Sequence, residues 1–182
     1  KWGLRRASPQ LDRELEGRPP SWRPAPVRHA VVVGLGPIGR QVVSQLETRG
    51  VDVAAVDLSP VNLHPLAQLG FHTVAGDARD TDVLRRAGAA GCSLGVVTVP
   101  DDRAAIEIVR GLRRLSADAR LIVRCRYQTS SAALERAGAD AVVSEEAEAT
   151  AQLLRFLGEV SPSEVPPADR DAGARRAGPS SG

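Results

Sequence analysis

The 182-residue chain has no methionine, one tyrosine, two phenylalanines, two tryptophans and a single lysine, Lys1. Aromatics make up 3% and apolar residues 42%, so a core must be packed from Val, Leu, Ile and Ala. Only two cysteines occur, Cys92 and Cys125. Their spacing fits no metal motif, and two thiols make no disulfide framework, which points to a reduced compartment. No apolar run approaches the roughly 20 residues that a membrane-spanning helix needs, and no signal-peptide pattern is present. The chain starts at Lys rather than Met, which reads as a piece of something longer. A net charge of +2 is too small to argue for nucleic acid as a partner.

What is present divides into three parts. Residues 1–28 hold five prolines, both tryptophans, seven basic and three acidic residues, without a sustained period. This composition reads as a linker, and its basic balance would suit an anionic membrane surface. From His29 to about residue 158 a regular beat sets in. Apolar runs at 30–33, 51–56, 72–75, 93–99, 121–124 and 140–143 alternate with helix-like segments at 37–49, 60–69, 80–87, 101–115, 128–137 and 145–157. Gly50, Gly70, Gly88 and Gly138 follow helical segments, where helices often end. Strand–helix alternation without hairpin signals predicts an α/β fold: a Rossmann-like, doubly wound, six-stranded parallel sheet with helices on both faces. The tail from about residue 159, rich in Pro, Gly, Ser and charge, reads as disordered.

The first βα junction is HAVVVGLGPIGRQVVSQL, residues 29–46. A lone G-x-G-x-x-G match is weak, but here it follows a β-branched run and opens a helix. Gly34 would allow the tight turn, Gly36 the close approach of a pyrophosphate, and Gly39 the close packing of helix against strand. Leu35, Pro37 and Ile38 complete the loop, and Pro37 suits a first helical turn, where its missing N–H is not needed. The helix N-terminus would face the phosphates. Asp57 ends the second strand 21 residues after Gly36, where a carboxylate accepts from the ribose hydroxyls and repels a 2′-phosphate. Leu58 follows it. NAD is thereby favoured over NADP.

Groups for chemistry are scarce. Tyr127 has Ser131 rather than Lys four residues on, and His29, His64 and His72 are scattered. No Ser/His/Asp set or metal cluster is evident, so no catalytic residue is assigned. The pairs Asp101-Asp102 and Glu145-Glu146 each follow a strand and read first as helix N-terminal charges.

Taken together, Gly34–Gly39, Asp57, Gly76-Asp77-Ala78 and the LRRAG of residues 84–88 resemble the RCK/KTN domain, also called TrkA-N. This is the nucleotide-sensing domain of prokaryotic potassium channels and transporters. The stretch RCRYQTSSAALERAGADAVVSEEAEATAQLL, residues 124–154, is most similar to the version attached to KefB/KefC-type monovalent cation:proton antiporters. The resemblance implies that the glycines carry the diphosphate turn and Asp57 the ribose. Asp77 and Ala78 would line the adenine pocket, Thr98 and Val99 would flank the nucleotide, and Arg124 would reach the phosphates. A guanidinium at a strand's carboxyl end suits that last role on physical grounds as well.

Some positions depart from the family pattern. Pro37 stands where many members carry Arg, which leaves NAD(H), AMP or ADP rather than a triphosphate. Val99 replaces a common polar residue and Ala104 a common Asn. Cys125 takes the place of a usual small residue and reads as a buried strand side chain. Glutathione regulation, known in some relatives, is not carried over.

The resulting expectation is a regulatory domain at the cytoplasmic face of the membrane. It would form a homodimer and gate a membrane-embedded cation transporter domain, encoded upstream in the same polypeptide, in response to NAD(H) or AMP/ADP. The alternatives are a small NAD-dependent oxidoreductase domain and an unliganded dimerisation platform. A further expectation is that the fourth and fifth helices, DRAAIEIVRGLRRL and TSSAALERAG, offer a second apolar face for a partner, unless covering the sheet consumes them.

Overall fold

Residues 27–159 are described in a computed structural model. The linker, save its last two residues, and the tail, save its first, lie outside the described residues. Six strands appear: β1 (His29–Val33), β2 (Asp52–Asp57), β3 (His72–Ala75), β4 (Leu94–Val97), β5 (Arg120–Cys125) and β6 (Ala141–Ser144). Six helices connect and follow them: α1 (Pro37–Thr48), α2 (Pro60–Gln68), α3 (Thr81–Arg86), α4 (Asp102–Leu115), α5 (Ser131–Ala137) and α6 (Glu145–Glu159). Short 3₁₀ turns at Ala89–Gly91 and Gln128–Ser130 complete the chain. The segment expected as one helix over 128–137 is thus divided, with its first turn wound more tightly than the rest.

All pairings are parallel, in the order β3-β2-β1-β4-β5-β6. The expected doubly wound sheet is present. Its order reverses between β1 and β4, and the carboxyl ends of those strands open the crevice where ligands bind in such sheets.

The alternation of side chains along each strand sorts the core into two layers. Ala30 and Val32 of β1 pack with Val53, Ala55, Leu94 and Val96 under Val43 and Leu46 of α1 and Leu63 of α2. Val31 and Val33 face the other way, with Val56, Val97, Leu121 and Val123 under Leu84, Ile108, Leu112 and Leu134 of α3, α4 and α5. Both faces are aliphatic, as the composition requires. Full burial of each Val or Leu side chain contributes about 1.5–3 kcal/mol.

The helices α4 and α5 do not present a second apolar face. Ala105, Ile108, Val109 and Leu112 of α4 and Leu134 and Ala137 of α5 are buried in the core, and Ile106 and Leu115 lean on it. Covering the sheet consumes them. Apart from scattered positions such as Leu58, Val61 and Leu69, the exposed apolar side chains gather on α6. That helix buries none of its residues, and Leu153, Leu154, Phe156 and Leu157 are each more than half exposed.

Candidate nucleotide site at the sheet switch point

The turn after β1 is fixed from several sides. Gly34 takes φ +93°, a conformation L side chains rarely adopt, and its amide donates to the Val56 carbonyl at 2.8 Å. The Thr98 hydroxyl, from the end of β4, donates to the Gly34 carbonyl at 2.7 Å. A Cβ on Gly34 would stand 2.9 Å from the Val99 amide nitrogen. At Gly39 a Cβ would collide with the Gly34 carbonyl, so the first turn of α1 sits directly against the loop. Gly39 therefore packs against the turn itself, a tighter contact than helix on strand.

Gly36 differs from both. Its backbone is ordinary for any residue, at φ −64° and ψ −173°, and, its chain neighbours aside, no atom of the described residues lies within 4 Å of where its Cβ would be. Fold and strain give no reason for glycine there. The space its missing side chain leaves belongs to a crevice of about 820 Å³. Helix α1 begins beside it at Pro37, and the amides of Ile38 and Gly39 belong to the first turn, which lacks intrahelical acceptors. Such an end attracts anions.

Asp57 closes the turn from β2. Its Oδ2 accepts from the Leu35 amide at 2.6 Å, and its Oδ1 accepts from the Ser59 amide at 2.8 Å and the Asn62 side-chain amide at 3.1 Å. A carboxylate offers about four lone-pair positions, so Oδ2 retains one after the donors from the described residues are placed. A ribose hydroxyl fits that acceptor. The partner Asn62 was not foreseen; its only signal in the sequence is its place in the first turn of α2, five residues after Asp57.

Of the residues singled out from the sequence, Gly34, Gly36, Pro37, Ile38, Asp57, Leu58, Gly76, Asp77, Ala78, Thr98, Val99 and Arg124 all line this crevice. Leu35 and Gly39 do not. Leu35 is fully buried in the core beneath the loop, and Gly39 is covered by the turn. Asp77 binds Arg79 through two oxygens, the shorter contact 2.6 Å. Those hydrogen bonds and the Arg79 charge hold its carboxyl below the ordinary value, against a small opposing effect of burial. Arg79, Arg103 and Glu107 also line the crevice and were not anticipated.

Arg124 reaches the crevice wall, but its guanidinium is already engaged. Nε donates to Glu145 Oε1 at 2.7 Å, Nη2 lies 2.5 Å from Oε2, and Nη1 donates to the Val99 carbonyl at 3.1 Å. Glu145 is therefore no simple helix-end charge. Glu146 accepts from the Gln128 amide at 2.9 Å, and the end of α6 is capped by Ser144, whose hydroxyl accepts from Ala147 at 3.3 Å. The expected capping role does hold at Asp101, which accepts from the Ala104 amide at 2.7 Å. Asp102 instead ties α4 to the chain after β5, accepting from the Arg126 and Tyr127 amides.

Two of the three histidines serve the frame. His29 bridges Asp52 and the Ala87 carbonyl, and His72 reaches the Arg86 carbonyl. Both cysteines are free and buried. Burial pushes the Cys92 thiol above its ordinary value. Among the described residues the crevice is lined by no His, Cys, Tyr or Lys, and no helix is long and apolar enough to cross a membrane.

A doubly wound sheet with a glycine turn, an acidic β2 terminus and a crevice at the reversal of strand order defines a Rossmann-type nucleotide-binding domain. The TrkA-N domain family matches residues 30–145, and this chain belongs to it. It is 32% identical over 130 residues to a K(+) efflux antiporter KefB of Alkalimonas amylolytica, covering 71% of this chain and 20% of that protein. The crystal structure of the TrkA-N domain of the inner membrane protein ybaL from Escherichia coli superposes with a TM-score of 0.68 at 26% identity, covering 72% of this chain and 97% of that one. A GsuK channel bound to NAD superposes with a TM-score of 0.57 at 26% identity, covering 74% of this chain and 25% of the channel. The chain spans a quarter or less of the length of the curated relatives it matches. The curated relatives are cation antiporters, and the similar solved structures include the TrkA-N domain of an inner membrane protein and a channel.

Proposed function

We propose that this chain is the regulatory domain of a potassium or other monovalent cation:proton antiporter, and that it binds an adenine nucleotide, NAD(H) or AMP/ADP, to gate ion transport. The observation that carries the reading is the open space at Gly36. A backbone that strain does not require to be glycine lies bare to the crevice, between a helix N-terminus and a ribose-type carboxylate. An adenine nucleotide meets all three with its phosphate and sugar. NAD and ADP in the bound forms of GsuK support the ligand class.

In this reading the nucleoside lies over the β2 and β3 ends, against Asp57, Leu58, Gly76, Asp77 and Ala78. Its phosphates lie on the turn Gly34–Ile38, flanked by Thr98 and Val99, with Arg124 beyond. The partner is a membrane-embedded cation transporter domain, upstream in the same polypeptide and joined through residues 1–28 as a juxtamembrane linker. The domain occupies 29–158, at the cytoplasmic face of the membrane. Two copies form a homodimer, a reading supported by the unburied apolar side chains of α6. Gating requires only that the nucleotide bind one state of the assembly better than the other, and a coupling of about 1–3 kcal/mol is ordinary.

Calorimetric titration of the chain with NAD, NADH, AMP and ADP tests the premise. Saturable binding of at least one is expected. No binding by any at millimolar concentration overturns the reading, and steady turnover of NAD(H) with a metabolite places the domain among oxidoreductases instead.

A further inference from the structure

The sheet order gives the crevice a direction. Asp57 and Asp77 stand at the ends of β2 and β3, the glycine turn follows β1, Val99 follows β4, and Arg124 lies on β5. A nucleotide with its sugar on Asp57 and its first phosphate on the turn points any further phosphate across Val99 toward Arg124.

What meets it there is not a free cation. The Arg124 side chain is 15% exposed and held on one edge by both oxygens of Glu145, with Nη1 on the Val99 carbonyl. Asp102 also lies within reach of its charge. Five N–H groups belong to a guanidinium. Three are used in these contacts, so two remain to hydrogen-bond a ligand while the positive charge is already offset. At Arg124 the crevice thus offers donors whose charge is offset, with Asp101, Arg103 and Glu107 also in the lining.

We propose that Glu145 is a specificity-determining residue for the nucleotide site. By neutralising Arg124 it selects ligands with little charge beyond the first phosphates, a nucleoside monophosphate or a dinucleotide, against nucleoside di- and triphosphates. This rests on the proposed nucleotide function and narrows its ligands to AMP or NAD(H) over ADP, naming the group that sets how many free phosphates are accepted. Glu145 acts through Arg124 and need not touch the ligand.

The test compares AMP, NAD, ADP and ATP by calorimetry on the whole chain and on Glu145→Gln. Wild-type protein should bind AMP or NAD more tightly than ADP or ATP. In Glu145→Gln the released charge should raise ADP affinity relative to AMP by about tenfold, the scale expected for one unit charge near a partly screened phosphate. Glu145→Ala, which removes the same charge from a side chain 39% exposed, should give the same shift and serves if the Gln variant folds poorly. The double variant Arg124→Ala/Glu145→Gln should lose the gain, which a purely structural role of Glu145 would not require. An unchanged ADP-to-AMP ratio in both single variants overturns the proposal, as does a gain that survives in the double variant. If wild-type protein binds no nucleotide, the functional reading falls and this inference with it; binding with an unaltered ratio removes the inference alone.

Discussion

The Asp57 carboxylate accepts a hydrogen bond from the Leu35 amide at 2.6 Å, so the acidic end of β2 holds the middle of the glycine turn after β1. One side chain both shapes the loop and keeps an acceptor toward the crevice. Asp57→Ala removes a charge-assisted hydrogen bond of about 1.5–3 kcal/mol and the proposed ribose acceptor together. Nucleotide affinity should fall by at least tenfold, measured by titration. Retained affinity would place the sugar elsewhere.

Gly39→Ala tests the packing of α1 on the turn. Its Cβ collides with the Gly34 carbonyl, which cannot withdraw without breaking the Thr98 contact. Overpacking of this kind costs about 1–3 kcal/mol. The thermal midpoint should drop by several degrees in a melting experiment, whether or not nucleotide is present.

Much of this architecture could be read from the sequence because its cause is local. β-branched runs set the strands, glycines closed the helices, and the spacing from Gly36 to Asp57 carried the site. The partners of the charged residues could not be read in this way. Arg124 and Glu145 lie 21 residues apart and meet only because β5 and β6 pair in parallel, with Arg124 beside Val143. Asn62 reaches Asp57 through the geometry of α2, and Asp102 finds two amides 24 and 25 residues away. Of the two readings left open for α4 and α5, the structure takes the second: covering the sheet consumes their apolar residues. Their apolar content alone does not separate the two, because only the packing shows how much of it the sheet takes up.

Asp102 sets an acid dependence. Burial opposes its charge, but the Arg126 and Tyr127 amides and the Ser130 hydroxyl outweigh that and hold the carboxyl below its ordinary value of 3.8, aided by the Arg124 charge. A carboxyl lowered on folding contributes stability above its unfolded value and loses it as pH falls through the folded one. Asp102→Asn should therefore melt below wild type at pH 7. The gap should close in strongly acidic buffer, below about pH 3, as followed by circular dichroism.

Arg113 lies at the opposite end of the sheet. Its guanidinium donates to the carbonyls of Ala117, Ala119 and Gly138, and to Asp140 at 2.8 Å. Arg113→Ala should cost about 2–4 kcal/mol in denaturant unfolding through several lost hydrogen bonds. Nucleotide affinity measured well below the melting temperature should stay as in wild type.

Leu154→Asp on α6 tests the proposed homodimer. Because α6 buries none of its residues in the single chain, the substitution should leave the melting temperature of dilute protein unchanged. Sedimentation should shift from dimer toward monomer. A chain that sediments as a monomer before substitution would contradict the dimer.

Gly36→Ala tests the central claim most directly. Its chain neighbours aside, no atom of the described residues opposes the added methyl group and no backbone strain follows, so the melting temperature should match wild type. The methyl group nevertheless fills the space assigned to the phosphates, and calorimetric affinity for AMP or NAD should fall at least about tenfold, the equivalent of 1.4 kcal/mol. Binding at wild-type strength in a fully folded Gly36→Ala protein would contradict the account.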